Sequence, residues 1–275
     1  MLRSLSIGRV WGIDLRINAS WLLAFAFVTW GLGGGYFRFV IPRQQGPVLP
    51  LVFGAIAALL LFGSVLIHEL SHSLVAKARG MRVRDITLFI FGGVSNIDGD
   101  VRSPRDEFLI SAVGPLTSYA LAAVFWAAGH SLHAPSPYDL LLGTSLRVLR
   151  NMTPSTALLA YVAAINVLLG TFNLLPAFPL DGGRVFRSIV WGLTRRYERA
   201  TLIAATLGQV FGVALIGLGI FRMYVGDVLG GIWTIFLGWF LLQSAAAARV
   251  QREKSTAVVF APQMTTPTRS PTDGT

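Results

Sequence analysis

The sequence predicts an all-α polytopic membrane protein with about six transmembrane helices and a short membrane-associated β-hairpin after the second. Three observations predict it. Hydrophobic residues make up 53% of the 275 and charged residues only 13%, about half the charge of an average soluble domain. Six apolar stretches are long enough, or nearly so, to cross ~30 Å of hydrocarbon. The basic residues are shared very unequally among the segments that join those stretches.

The stretches fall at about 20–37, 50–76, 107–129, 155–175, 201–221 and 228–248. Residues 1–19 lack the apolar core and small-residue cleavage site of a signal peptide, so none is expected. Gly31-Leu32-Gly33-Gly34-Gly35 interrupts the first stretch. The second reaches ~40 Å at ~1.5 Å per residue, so it tilts or protrudes. Residues 81–103 are too short and too interrupted to span. Val83–Phe91 is β-prone and Phe91–Asn96 contains a turn, which together read as a hairpin dipping toward the membrane. Non-helical backbone at that depth survives only where protein or a water-filled cavity satisfies it. An edge strand there would offer a pairing surface to an unwound peptide; a plain cytoplasmic hairpin is the alternative.

Ala112–Pro115 in the third stretch reads as close helix packing. In the loop 130–154, His130 and His133 are accompanied by one carboxylate, Asp139, and read as solvated loop residues. From residue 249 the chain turns polar and its end is dominated by Pro, Thr and Ser. The reading is therefore a membrane domain over 1–248 and a disordered tail over 249–275. There is no cysteine, which excludes disulfides, thiolate metal sites and a cysteine nucleophile.

With both termini cytoplasmic, 18 of the 23 basic residues fall in inside segments and five outside. That asymmetry is the positive-inside pattern. It accounts for the net charge of +10 without nucleic acid. The expected location is the cell membrane, with multiple passes through the bilayer.

The second stretch ends in chemistry. His68 and His72 are four residues apart, hence ~40° apart in azimuth and ~6 Å apart along a helix, so they share a face. Two imidazoles so placed can both reach one tetrahedral Zn2+. Glu69 points elsewhere, but lies near enough to take a proton from a water activated at the metal. In the topology above, the pair sits near the cytoplasmic end of its span.

A catalytic zinc site needs a third protein ligand and one open position. Asp181 is the candidate, because it lies at the cytoplasmic end of the fourth span, level with the histidines. Pro176 and Pro179 break the helix before it, and Gly182 and Gly183 free the backbone after it. An acid beside broken helix at membrane depth is a functional candidate. The alternatives are pairing with Arg184 or Arg187, or capping the following helix. Asn173, two turns earlier, is placed to donate to a substrate carbonyl or oxyanion, or else to a neighbouring helix. Asn166 reads as an interhelical hydrogen bond.

His68-Glu-Leu-Ser-His72 inside a span, Phe91–Asn96 after it, and Phe172–Arg184 in a later span together resemble the site-2 protease family of intramembrane zinc metalloproteases. The likeness touches the chain from the first span to about Arg187. It implies one Zn2+ per chain on His68, His72 and Asp181, with Glu69 as general base and Asn173 near the scissile carbonyl. The implied partners are the bilayer and a membrane protein whose transmembrane helix is cleaved near the cytoplasmic face, as in regulated intramembrane proteolysis. The loops are too short for a PDZ domain, so the likeness is to the PDZ-less branch. That branch includes sporulation-factor processing enzymes and proteins with C-terminal cystathionine-β-synthase repeats, whose opening Ala261–Thr275 resembles. Two other readings fit parts of the chain: a metal-binding, non-proteolytic adaptor, and a metal transporter, although no repeat symmetry is visible.

Overall fold

The computed structural model describes residues 4–90, 92–99, 101–141 and 146–260; of 146–147, 150 and 247–260 it describes only the helical backbone. Two strands precede the first helix. β1 (Ser4–Val10) and β2 (Ile13–Asn18) form an antiparallel hairpin. Its two-residue turn, Trp11-Gly12, has φ of 48° and 80°, and positive φ at both central residues is what a type I′ turn requires. Local sequence pattern does not predict these two strands. The alternation Ile13, Leu15, Ile17 offers three apolar positions, too few for periodicity alone to distinguish strand from loop. Tertiary contact orders it: Ile13, Leu15 and Ile86 are buried against Leu66, Leu70 and Leu74.

The expected hairpin between 81 and 103 consists of β3 (Arg82–Phe89) and β4 (Gly92–Asp98), paired antiparallel. Phe91 and Asp100, within the span of that expectation, lie outside the described residues. The hairpin joins the N-terminal one in a four-stranded sheet of order β1-β2-β3-β4. β2 and β3 run parallel, from Asp14 opposite Asp85 to Ile17 opposite Leu88, so the first two spans form the crossover between them. β4 is left as an edge.

Six helices are long and apolar enough to cross a membrane, at the six places the sequence indicates. α1 (Ser20–Gly31) continues through a π turn (Leu32–Tyr36) into α2 (Phe37–Val40), so the glycines widen the first span without breaking it. α3 (Val48–Ala78) has 31 residues, or ~46 Å, well over the hydrocarbon thickness. Its leucines 66, 70 and 74 lie ~200° round the axis from His68 and His72. One side of α3 therefore meets the sheet while the other presents the histidines.

α4 (Pro104–His130) follows, capped by the Ser103 hydroxyl, which accepts from Asp106 N at 3.1 Å. Two short helices, α5 (Pro137–Leu141) and α6 (Leu146–Asn151), lead to α7 (Pro154–Asn173). α7 stops just ahead of Pro176 and Pro179, which lack the N–H that a continuing helix needs. After an irregular stretch, α8 (Asp181–Thr194) starts a new helix. α9 (Tyr197–Tyr224) and α10 (Val228–Phe260) pack on each other and reach the rest of the chain through α8 and the segment before it. α10 runs past residue 248, where the sequence reading starts its polar tail; residues 261–275 lie outside the described residues.

Candidate metal centre

His68 and His72 are buried on the α3 face that meets α4. Each ring is held through Nδ1. His72 Nδ1 donates to the Ile110 carbonyl at 2.5 Å, and His68 Nδ1 lies 2.9 Å from Ser118 Oγ. A carbonyl only accepts, so Nδ1 carries a proton, which in the neutral ring leaves the Nε2 lone pair available to a metal. A second group orienting a ligand histidine through its other nitrogen is the usual arrangement at a metal.

Asp181, also buried, arrives from the first residue of α8. Its Oδ2 is 3.1 Å from both Nε2 atoms, which are 3.2 Å from each other. The three form the metal-competent group among the described residues. Ligands ~2.0–2.1 Å from a tetrahedral Zn2+ stand ~3.3 Å apart, so the triangle has the right size. The donor set fits as well. A neutral His72 Nε2 and a carboxylate oxygen are both acceptors, and buried acceptors at this distance need a cation or a proton between them.

Of the alternatives for Asp181, Arg187 pairs with Glu107 instead, and the ion pairs that Asp181 makes among the described residues are with His68 and His72. Gly182 is required by close approach: a Cβ there would come within 2.4 Å of the Leu175 carbonyl oxygen and closer still to Leu174.

Glu69 lies on the β4 side of α3, where its Oε2 accepts from Ser95 Oγ at 2.8 Å. Gly93 makes room for it, since an added Cβ would stand 2.7 Å from Glu69 Cγ. Ser95 also lines a cavity of about 390 Å³ with Arg84, Asp85, Asn96, Ile97 and Asp98. The hydrogen-bonded Arg84 guanidinium holds the Asp98 carboxyl below the usual carboxylate range, which keeps that cavity polar.

Asn173 ends α7 with its amide donating to the Leu169 carbonyl of its own helix at 3.0 Å. Among the described residues, no hydrogen bond joins it to the triangle. Asn166 makes the interhelical bond expected of it, to Ser64 Oγ at 2.9 Å. His130 and His133 are exposed and outside the metal-competent group.

Sequence reasoning missed the contribution of α4. Gly114, assigned there to packing, lies directly against the ligands: an added Cβ would be 2.7 Å from His68 Nε2 and closer to His72 Nε2. Glu107, Ile110, Gly114 and Ser118 recur at i, i+3, i+7 and i+11, one face of a helix. Acidic, small and hydroxyl residues on that stripe of an apolar span are the signal that was available.

Residues 56–215 match peptidase family M50. The Synechocystis protein sll0528, provisionally named a zinc metalloprotease, is 37% identical over 248 residues, covering 90% of this chain and 60% of the relative. Rip3 of Mycobacterium tuberculosis, named likewise, is 34% identical over 264 residues, covering 95% of this chain and 62% of the relative. This chain thus spans about three-fifths of the length of the curated relatives it matches. The solved site-2 protease from Methanocaldococcus jannaschii superposes with a TM-score of 0.56 at 28% identity, covering 90% of this chain and 95% of that one.

Proposed function

This chain belongs to peptidase family M50, and on that premise we propose that it is an intramembrane zinc metalloprotease. It hydrolyses a peptide bond within or near a transmembrane segment of a membrane protein, close to the cytoplasmic face. The observation that carries this reading is the meeting of His68, His72 and Asp181 beside a half-buried Glu69. These three side chains would hold one Zn2+. Zinc, when bound, would supply the Lewis acidity that lowers the pKa of water toward neutrality.

The chain's own residues do the rest. Glu69 takes the proton of the attacking water and returns it to the leaving amine. Ser95 holds that carboxylate in one orientation. Asn173 donates to the developing oxyanion, its amide having a second hydrogen beyond the one given to Leu169. A helical substrate hides its carbonyls in its own hydrogen bonds and must unwind before cleavage. The free edge of β4, on whose second and fourth residues Glu69 rests, suits an unwound strand by β-augmentation. The polar cavity at Ser95 suits the entry of water. The basic-residue asymmetry supports both termini on the cytoplasmic side.

The test is co-expression with a library of single-span membrane proteins tagged at their cytoplasmic ends. Release of a tagged fragment by wild type, and not by Glu69→Gln with zinc still bound, is the expected result. Release by both would exclude Glu69 as the base, and release by neither, across the library, would count against a protease.

A further inference from the structure

Among the described residues, Glu107 is the most deeply buried charge that the proposed chemistry does not use. It lies in the first turn of α4 and is 0% exposed. Its Oε1 accepts from Arg187 Nε at 2.8 Å and also from Arg187 Nη2. Its Oε2 has no hydrogen-bond partner among the described residues. The Arg187 guanidinium lies over two rings, 5.0 Å from the Phe178 centroid and 4.8 Å from that of Tyr197. One side chain thus joins α4, the stretch before α8, α8 itself and the start of α9.

A buried ion pair contributes little net stability, because desolvation offsets its attraction; its better-attested use is to fix one arrangement among several. What needs fixing here is α8. It follows an irregular stretch, and it must bring Asp181 to the two histidines. Arg187 is six residues, or ~9 Å of helix, beyond Asp181. Glu107 shares its face of α4 with Ile110 and Ser118, which already hold the histidine rings.

We propose that the Glu107–Arg187 pair is a latch that positions Asp181 for the metal, so that α4 orients all three ligands. His68 is oriented through Ser118, His72 through the Ile110 carbonyl, and Asp181 through Arg187 and α8. Glu107 and Arg187 are positioning residues. The proposal rests on the metal reading given above.

The experiment is a Co2+ titration of the zinc-stripped, full-length chain in detergent, against a chromophoric chelator, with the visible Co2+ bands recorded. Helix content by circular dichroism establishes that each variant is folded. Glu107→Gln and Arg187→Met should each weaken Co2+ binding by about tenfold or more, the usual effect of losing a group that orients a ligand. Each should also change the bands, and the double variant should be no weaker than the weaker single. A purely structural pair would lower the melting temperature and leave affinity and bands of the folded molecules unchanged; that result overturns the latch. If neither variant folds, Arg187→Lys keeps the charge and gives up the two-nitrogen fork. It should bind at least about threefold more weakly, and wild-type affinity in it overturns the latch. His68→Ala separates the two levels of the argument. Lost binding there with unaltered binding in Glu107→Gln removes the latch alone, whereas unaltered binding in His68→Ala removes the metal reading and the latch with it.

Discussion

His72 Nε2 and Asp181 Oδ2 lie 3.1 Å apart across 109 positions of chain. The other nitrogen of the ring is committed to the Ile110 carbonyl. Two acceptors facing each other in a buried site are the electrostatic signature of a cation position. The two helices that bring them together, α3 and α8, belong to different motifs of the sequence, and α4 lies against both.

Removing Asp181 tests whether those motifs form one site. Wild type purified in detergent should hold about one zinc per chain, and Asp181→Ala less than about a tenth of that, because two histidines leave half of a tetrahedral shell to water. Metal content by atomic emission gives the number. Full retention in the variant would break the link between α3 and α8.

Glu69→Gln should behave in the opposite way. The carboxamide keeps the shape and the bond from Ser95, so zinc content stays at the wild-type level. Cleavage should fall by about 10²–10⁴, the usual contribution of a general base. Parallel assays of metal and of fragment release make the comparison.

Metal removal should be felt by the fold. A ligand that binds only the folded state stabilises it by about 2.7 kcal/mol at a hundred times its dissociation constant. Chelation should therefore lower the melting temperature of wild type and leave a His68→Ala/His72→Ala double variant unchanged. Equal shifts in the two would mean that the chelator acts elsewhere.

The legible parts of this molecule were those written in one local pattern. The six spans are readable because each is a largely apolar run, the first despite its glycines, and His68, Glu69 and His72 because helical spacing alone puts the two histidines on one face. β1 and β2 are different. Ile13, Leu15 and Ile17 make a strand only because Leu66, Leu70 and Leu74 wait on α3, and no local window contains both. Glu107 and Arg187 are 80 positions apart, each reading singly as an ordinary charge near a membrane surface. Gly114 looked like any small residue in a membrane helix; what distinguishes it is the neighbour, not the sequence.

Gly114→Ala should therefore cost more than one methyl ordinarily does. In an exposed helix the change is worth up to about 1 kcal/mol of stabilisation. Here the methyl would meet His68 Nε2 at 2.7 Å, so the ligands must part. Zinc affinity should drop by about tenfold or more, on the scale of losing a ligand-orienting group. Gly63→Ala on α3, where an added Cβ meets nothing within 4 Å, should keep wild-type affinity. Competition with a fluorescent zinc chelator distinguishes the two, and equal affinities would mean that the site yields freely around position 114.

Ser95→Ala separates holding the base from holding the metal. Ser95 donates to Glu69 Oε2 at 2.8 Å from β4, an edge strand, and among the described residues makes no hydrogen bond to the three ligand side chains. A hydrogen bond to a charged group is worth about 1.5–3 kcal/mol, so its loss should slow cleavage by about 10–100-fold at unchanged zinc content. The sheet should survive, since Ser95 keeps its backbone place opposite Ile86. Ser95→Thr retains a hydroxyl and should recover much of the rate. Cleavage by Ser95→Ala at the wild-type rate would mean that α3 alone holds Glu69 in place. Loss of zinc in the same variant would mean that β4 bears on the metal ligands, and the division of labour between strand and helices would fall.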